Sequence, residues 1–221
     1  MWLRELIRFS SRKVELQRFV NGLCGSYSQY GEDLIVDKLL GHQKKGFYVD
    51  IGANHPFKFN NTFMFYKRGW RGINVDPNPS TKMIFDAIRP NDFTYNCGIA
   101  KKAGLLTFHI FADNMYSTFS DKEALQNLRD GKQLIHSLKV DVLPLKSLLR
   151  SVDCRKIDFL SVDTEGFDFE VLKSNDWTKY KPTVICVEGH DDIADIKKFL
   201  VEKGYICKFS ETNSIFMLEG A

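Results

Sequence analysis

The sequence lacks any apolar run approaching the roughly 18 residues that a helix needs to span a bilayer. Its five cysteines are odd in number, scattered along the chain, and include no C-x-x-C pair. Neither a disulfide framework nor a zinc ribbon is therefore predicted. Because unpaired cysteines are typical of reducing compartments, we expect a cytoplasmic protein, with peripheral attachment to a membrane as the alternative.

Internal repeats, low-complexity tracts and linkers rich in proline or glycine are also missing. A chain of 221 residues with 43% hydrophobic and 27% charged side chains is typical of a globular protein with one substantial core. We therefore interpret residues 26–221 as one domain and residues 1–25 as an N-terminal appendage.

A charge excess of either sign is missing from most of the chain. Residues 1–20 carry five basic and two acidic side chains, which account for the whole net charge of +3, so the remainder is neutral. A neutral domain argues against a nucleic-acid-binding face, which needs a basic patch. The apolar spacing within residues 1–20 predicts a basic amphipathic helix. It contacts either an anionic membrane or a protein surface, and we favour the latter.

Beyond Ser26, apolar runs typical of strands alternate with segments of helical spacing. Strands are predicted at 46–51, 72–76, 93–99, 105–111, 137–143, 157–163 and 182–189, followed by a pair within 205–219. Helices are predicted at 60–69, 79–89, 122–129, 167–174 and 191–204. We expect Asn60 or Asn61 to cap the first helix and Gly69 to end it. The alternation predicts an α/β fold: a mostly parallel sheet with helices on both faces and one antiparallel C-terminal strand.

Four of the predicted strands end on or near an acidic residue: Asp50, Asp76, Asp163 and Glu188. The carboxyl ends of parallel strands lie along one edge of a sheet, and ligands bind in the crevice where the strand order reverses. A single acid at a strand end is usually a turn residue. Four of them, together with Glu165, predict a shared acidic crevice.

The loop after the first strand lacks the complete G-x-G-x-x-G motif of dinucleotide-binding folds. Gly52 and Ala53 leave room for a ligand near the backbone, but Pro56 has no N–H group and the next predicted helix is distant. NAD and FAD are therefore disfavoured. Asp76 follows Asp50 by 26 residues, near the spacing of an acid that binds ribose hydroxyls. A cationic nucleoside without phosphates, such as S-adenosylmethionine, fits an acidic crevice, which points to methyl transfer.

Several motifs add to this interpretation. They are YSQYGED (27–33), YVDIGANHP (48–56), NTFMFYKRGWRGINVDPNP (61–79), IDFLSVDTEGFDFEVL (157–172), VICVEGH (184–190) and NSIFM (213–217). As a set, they resemble the FkbM-type family of S-adenosylmethionine-dependent methyltransferases. The resemblance implies a class I, Rossmann-like methyltransferase fold, with a seven-stranded sheet whose last strand is antiparallel. It also implies O-methylation of a hydroxyl on a sugar, a glycan or another small metabolite.

The resemblance further implies a set of cofactor contacts. These are Asp50, Gly52, Ala53 and Asn54 on the methionine and ribose side, Asp76 at the ribose hydroxyls, Asn96 and Cys97 near the adenine, and Tyr27, Ser28 and Gln29 over the cofactor. Ser28 has a second interpretation, because with Glu32 it loosely resembles a helix-capping signal. Both interpretations of Ser28 stay open, and one side chain can serve both purposes.

Methyl transfer to an alcohol needs the hydroxyl oxygen in line with the methyl–sulfur bond, and a positioned base adds about 10²–10⁴-fold in rate. We predict catalytic roles for Asp163, Glu165 and His190. His190 or Asp163 would take the proton, and Glu165 would orient the acceptor. A divalent cation held by Asp163, Glu165 and either Glu188 or His190 would instead lower the pKa of the acceptor hydroxyl. The spacing permits such a cation, but we do not predict it.

We expect the loop at 112–121 to recognise the acceptor, a small molecule or saccharide, because loops over a rigid sheet usually carry specificity. Tyr116 and Trp70 could stack on a sugar face, although aromatic side chains more often lie in the core. Two other functions stay open. One is a binding protein that keeps the cofactor crevice without turnover, and the other is a nucleic-acid methyltransferase, which the neutral domain disfavours.

Overall fold

The structure, a computed structural model, describes residues 22, 25–188 and 192–221. The helix predicted within residues 1–20 lies outside the described residues. The strands are β1 (Phe47–Ile51), β2 (Arg71–Val75), β3 (Phe93–Tyr95), β4 (Gly98–Ile99), β5 (Gly104–Phe111), β6 (Leu134–Leu143), β7 (Phe159–Val162), β8 (Val184–Glu188), β9 (Tyr205–Ser210) and β10 (Asn213–Leu218). The helices are α1 (Glu32–Leu39), α2 (Phe63–Arg68), α3 (Pro79–Ile88), α4 (Asp121–Arg129), α5 (Leu145–Ser151), α6 (Asp168–Lys173) and α7 (Ile193–Glu202), with a 3₁₀ turn at Asn114–Tyr116. In the described part of the chain, no helix has the length and apolar character that crossing a membrane requires.

Seven strands form the main sheet, in the order β3-β2-β1-β7-β8-β10-β9. The first five are parallel, whereas β10 runs antiparallel to both of its neighbours. The predicted α/β fold, with a mostly parallel seven-stranded sheet and an antiparallel C-terminal strand, is confirmed. The chain order reverses between β1 and β7, which places a crevice beyond the carboxyl ends of these two strands.

Both faces of the main sheet are buried because its strand interiors are apolar. Val49 and Leu160 pack on one face with Leu148 of α5, and Tyr48 packs on the other face with Trp70. None of these five side chains is more than 1% exposed. Complete burial of a large apolar side chain contributes about 1.5–3 kcal/mol, so both clusters stabilise the sheet. The suggestion that Trp70 stacks on a sugar is wrong, since this indole lies in the core.

The N-cap of helix α2 lies one residue after the second of the two predicted cap positions. Its N-cap is Thr62 rather than Asn60 or Asn61. The side-chain oxygen of Asn60 nevertheless accepts a hydrogen bond from the N–H of Thr62, at 2.9 Å. Gly69 ends the helix as predicted, with a φ of 103° that a side chain would disfavour.

A second sheet contains three strands in the order β4-β6-β5. The prediction of one strand over 93–99 is wrong, because the chain leaves the main sheet after Tyr95 and joins the second sheet at Gly98. Asn96 lies at this break, where its side-chain amide donates a hydrogen bond to the backbone carbonyl of Asp76 at 2.9 Å. The second sheet and the segment after β5 border one side of the crevice.

The YSQYGED motif folds around the carboxylate of Asp33, which is fully buried at the start of α1. This carboxylate accepts hydrogen bonds from the hydroxyl of Ser26 at 2.6 Å, the N–H of Tyr27 at 2.7 Å and the hydroxyl of Ser28 at 2.9 Å. Burial raises the pKa of Asp33, and these donors oppose the change. The hydroxyl oxygen of Ser28 also accepts the N–H of Gly31 at 3.1 Å. The N-cap of α1 is Gly31, so the interpretation of Ser28 as the N-cap is wrong.

Candidate active site

A cavity of about 260 Å³ lies at the carboxyl edge of the main sheet. The ends of β1, β2, β7 and β8 form its floor, and the segment between β5 and α4 forms one wall. This position is where a parallel sheet with a reversal of strand order binds ligands. The cavity is therefore the candidate active site.

All five acids of the predicted crevice line this cavity: Asp50, Asp76, Asp163, Glu165 and Glu188. Among the residues that the structure describes, no lysine, arginine or histidine lines it. Charges interact strongly in a partly desolvated site. The cavity therefore favours a ligand with positive charge and disfavours phosphate and carboxylate groups.

The backbone turns sharply at Gly52, just after β1, with a φ of 80°. A Cβ atom at this position would lie 1.7 Å from the carbonyl oxygen of Asp163. Glycine is thus required by the close approach of two strand ends, in addition to any room it leaves for a ligand. The N–H groups of Gly52 and Ala53 both donate to the carbonyl oxygen of Val75, at 2.9 and 3.1 Å.

Asp76 follows β2 and is 5% exposed. Its carboxylate accepts the N–H of Asn54 on one oxygen and the N–H of Asn78 on the other, each at 2.8 Å. Burial raises the pKa of Asp76 from 3.8 to about 6, although these two donors oppose the change. The hydroxyl of Thr81 also donates to this carboxylate. With three donors on about four acceptor positions, part of the carboxylate's capacity stays open to a hydroxyl group of a ligand.

Asp50 is 3% exposed and is surrounded by hydrogen-bond donors. One carboxylate oxygen accepts the side-chain amide of Asn60 at 3.0 Å and the hydroxyl of Thr62 at 2.8 Å. The hydroxyl of Ser161 also donates to this carboxylate. Burial raises the pKa of Asp50, whereas the positive charge of Arg89 and these donors oppose the change.

The other three acids gather at the ends of β7 and β8. One carboxylate oxygen from each of Asp163, Glu165 and Glu188 lies within 4.8 Å of the others. Burial raises the pKa of Asp163 well above its usual value, and the negative charges of Glu188 and Glu165 raise it further. A carboxylate with a raised pKa is a stronger base, which suits it to take a proton from an alcohol.

Three asparagines tie the segment after β5 to the loops that follow β1 and β2. The amide of Asn114 donates to the side-chain oxygen of Asn54 at 2.6 Å. The side-chain oxygen of Asn114 accepts a hydrogen bond from the side-chain amide of Asn78 at 2.7 Å. Because Asn54 and Asn78 both hold Asp76, this bridge connects the wall of the cavity to the expected ribose site.

Aromatic rings form the wall beside the second sheet. The ring centroids of Phe108 and Phe119 are 4.8 Å apart, and those of Phe119 and Phe167 are 5.8 Å apart. All three line the cavity, as does Tyr116 of the loop where we expect the acceptor to be recognised. Such a wall excludes water and offers faces on which a sugar or adenine ring can stack.

Backbone strain is concentrated at the cavity. Asn54, Phe59 and Glu165 have φ values of 50°, 52° and 53°, in the left-handed region that side chains disfavour. All three line the cavity. Each such residue costs on the order of 1 kcal/mol and persists only where its surroundings hold it.

The remaining predicted site residues differ in whether they line the cavity. Gln29 and Cys97 line the cavity, whereas Tyr27, Ser28 and Asn96 are not among its lining residues. His190 lies outside the described residues. The roles of all these residues in cofactor binding or catalysis stay predictions.

Sequence reasoning missed several polar residues of the site: Asn60, Asn61, Ser161 and Asn114. Asn61 donates to the hydroxyl of Ser161 at 3.1 Å, which leaves the hydroxyl proton for Asp50. A usable sequence signal for Ser161 is its position in the predicted strand, two residues before Asp163. In the structure, Ser161 of β7 lies opposite Asp50 of β1. Neutral amides in loops carry no comparable signal.

The family model described as methyltransferase FkbM domain matches residues 50–207. No curated protein sequence matches the chain. A proposed RNA methyltransferase from Pyrococcus horikoshii is similar in structure, with 9% identity, a TM-score of 0.42 and 87% of each chain covered. So is precorrin-6y C5,15-methyltransferase from Geobacter metallireducens, with 13% identity, a TM-score of 0.43, and 85% of this chain and 86% of that chain covered.

Proposed function

Since the chain belongs to the methyltransferase FkbM domain family, we propose that it transfers the methyl group of S-adenosylmethionine to a hydroxyl oxygen of a sugar, a glycan or a small metabolite. The matched residues, 50–207, contain all five cavity acids and the loop with Asn114. The proposal therefore assigns the reaction to this cavity.

The observation that supports the cofactor most strongly is the charge of the cavity: five acids line it, and no described cation does. S-adenosylmethionine carries a positive sulfonium and a positive ammonium group, which carboxylates stabilise. A dinucleotide would bring a diphosphate instead. It would find no described cation, and the N–H groups of Gly52, Ala53 and Asn54 are already bonded within the chain.

The residues present fit this cofactor group by group. Asp76 offers acceptors to the ribose hydroxyls, and the acids at the ends of β1, β7 and β8 offer negative charge to the methionine portion. Cys97, buried with a pKa raised to about 11, stays a neutral apolar thiol beside the site. When bound, S-adenosylmethionine supplies an electrophilic methyl group.

Asp163 is the base that the geometry favours among the described residues. Its carboxylate would accept the hydroxyl proton while the acceptor oxygen bonds to the methyl carbon and the carbon–sulfur bond breaks. Burial and the charges of Glu188 and Glu165 raise the pKa of Asp163, so its ionised form would hold an accepted proton more strongly than an exposed carboxylate does. Glu165 would orient the acceptor hydroxyl from the neighbouring position. His190 is the alternative base.

A divalent cation is the second explanation for activation of the acceptor. It is favoured by the oxygens of Asp163, Glu165 and Glu188, which lie within 4.8 Å of one another. A cation bound there would lower the pKa of the hydroxyl directly. The two explanations differ in a simple assay: base catalysis survives dialysis against EDTA, whereas metal catalysis is lost and returns with added magnesium or manganese.

The proposed function is tested in two stages. Calorimetry should first show binding of S-adenosylmethionine and of its demethylated product, S-adenosylhomocysteine; no heat with either would reject the proposal. The protein is then incubated with methyl-labelled cofactor and a panel of neutral sugars, glycolipids, small alcohols and RNA. Label on a hydroxyl compound supports the proposal and label on RNA contradicts it. Binding without transfer to any acceptor favours the non-catalytic alternative.

A further inference from the structure

Arg89 is the only lysine or arginine that is buried among the described residues, with 0% of its surface exposed. It lies at the end of α3 and does not line the cavity. The nearest carboxylate in an ion pair is that of Asp92, at 3.9 Å. Burying a cation is costly unless its surroundings compensate for the lost water, so the contacts of Arg89 need an explanation.

Most of these contacts are made with the loop that follows β1. The guanidinium donates to the carbonyl oxygen of Pro56 at 2.7 Å, to the side-chain oxygen of Asn60 at 2.6 Å and to the hydroxyl oxygen of Thr62 at 2.9 Å. These three residues span the part of the loop that separates Gly52 from α2. Arg89 therefore fixes the long loop that stands in place of a glycine-rich turn.

The contacts of Arg89 also determine which groups face Asp50. A guanidinium can only donate, so Asn60 must present its oxygen to Arg89. The amide nitrogen of Asn60 is thereby turned toward Asp50, at 3.0 Å. Thr62 likewise accepts from Arg89, and its one hydroxyl proton lies between two acceptors: the carboxylate of Asp50 at 2.8 Å and the side-chain oxygen of Asn60 at 2.9 Å. Asn60 and Thr62 thus each place a hydrogen-bond donor next to the same carboxylate oxygen of Asp50.

Aromatic rings also lie around the cation. The guanidinium carbon lies 5.2 Å from the ring centroid of Phe63, 5.4 Å from that of Tyr66 and 5.1 Å from that of Phe85. The rings exclude water, so the charge of Arg89 is poorly screened at Asp50. Its field opposes the effect of burial on that carboxylate.

We propose that Arg89 is a positioning residue for cofactor binding: through its hydrogen bonds to Asn60 and Thr62 it orients the carboxylate of Asp50 at the cavity, and it adds a positive charge to the surroundings of that carboxylate. It acts without touching the cofactor. The inference rests on the proposed function, because it assumes that the ligand of the cavity is S-adenosylmethionine. It accounts for a buried cation near a site that attracts cations, since Arg89 itself does not line the cavity.

The test compares two ligands that differ by the sulfonium charge. S-adenosylmethionine carries it and S-adenosylhomocysteine does not, so the ratio of their affinities reports the negative charge at the site. Calorimetry is performed on the wild-type chain, Arg89→Gln and Arg89→Lys. We expect Arg89→Gln to lower the affinity for S-adenosylmethionine about tenfold more than the affinity for S-adenosylhomocysteine. Arg89→Lys, which keeps the charge, should restore most of the ratio.

Other results would overturn the proposal. An unchanged affinity for both ligands in Arg89→Gln contradicts it, and so does an equal loss of both with no recovery in Arg89→Lys, since a purely structural arginine would behave in that way. A wild-type chain that binds neither ligand rejects the proposed function itself, which is a distinct outcome. Arg68→Gln is the matched control. Arg68 pairs with Asp37 away from the cavity, so its loss should lower the melting temperature without changing either affinity.

Arg89→Gln leaves an uncompensated buried carboxylate and can fail to fold. Thr62→Val then provides the second variant, because it removes the hydroxyl link between Arg89 and Asp50 while keeping nearly the same volume. The ratio of the two affinities should fall about threefold in Thr62→Val. A ratio equal to that of the wild-type chain would contradict the proposal.

Discussion

The affinity of the cavity for its cofactor should fall as the pH drops below about 6, because Asp76 must be ionised to accept the ribose hydroxyls. Burial raises the pKa of Asp76 from 3.8 to about 6. Its protonated form is therefore favoured by folding. The stabilisation of the folded protein by protonated Asp76 is fully present below pH 3.8 and is lost as the pH rises through about 6. The difference corresponds to about 3 kcal/mol that opposes folding at neutral pH.

A ligand that donates hydroxyl groups to ionised Asp76 would recover part of this free energy. At pH 5, about one tenth of the unliganded protein has Asp76 ionised, given a pKa of about 6. The affinity should therefore be about tenfold lower at pH 5 than at pH 8. S-adenosylhomocysteine is the better probe, because it keeps the ribose and lacks the sulfonium that responds to the other acids.

Calorimetric titrations at pH 8, 7, 6 and 5 measure this dependence, with circular dichroism to show that the protein stays folded at each pH. Asp76→Asn is the matched variant. It should bind more weakly at pH 8 and show little change between pH 8 and 5. An affinity of the wild-type chain that stays constant over this range would refute the reasoning. So would an Asp76→Asn variant with the wild-type profile.

Three further predictions follow from the site. Asp163→Asn should reduce methyl transfer about 10²–10⁴-fold while the calorimetric affinity for the cofactor changes less than about threefold; parallel losses would contradict a role as base. Asn114→Ala removes three side-chain hydrogen bonds, those with Asn54, Asn78 and Ser117, and should weaken cofactor binding about tenfold, whereas unchanged affinity would mean that the bridge does not shape the site. Gly52→Ala should lower the free energy of unfolding in urea by more than about 3 kcal/mol, because the new Cβ meets a carbonyl oxygen. Gly131→Ala, at a φ of 77° with open space around it, should cost only about 1 kcal/mol, and equal costs would show that the contact is not the cause.

The regular part of the fold was predictable because each strand or helix carries its own pattern. The run from Phe47 to Ile51 and the run from Phe159 to Val162 are mostly apolar, with one polar residue each, Asp50 and Ser161, as is typical of strands in a covered parallel sheet. Acids at the ends of such strands share an edge by topology alone. The convergence of Asp50, Asp76 and Asp163 on one cavity therefore needed no knowledge of tertiary contacts.

The second sheet was not predictable in the same way. The run from Phe93 to Ile99 has one continuous strand-like pattern, and its division depends on which neighbour each half pairs with. Tyr95 pairs with Val75 in the main sheet, whereas Gly98 pairs with Val142 in the second sheet. A local sequence pattern does not indicate which distant segment a strand pairs with, so the boundary at Asn96 appears only in the structure.

The amide network was also beyond sequence reasoning. Asn54, Asn60 and Asn114 lie in loops, where no period indicates the direction of a side chain, and amides have no charge to reveal a shared site. Trp70 illustrates the opposite error. An aromatic residue after a helix-ending glycine could lie in a site or in the core, and only its contacts with Phe65 and Gln43 show that it belongs to the core.

The strained backbone at Asn54, Phe59 and Glu165 has a consequence for engineering. Glycine at any of the three positions would relax the local conformation, so a screen for heat resistance would tend to select such replacements. The same replacements would let the rim of the pocket sample several shapes and would lower its occupancy by ligand. Gains in heat resistance at these positions should therefore be obtained at the expense of turnover, while exposed positions far from the rim can be altered without this conflict.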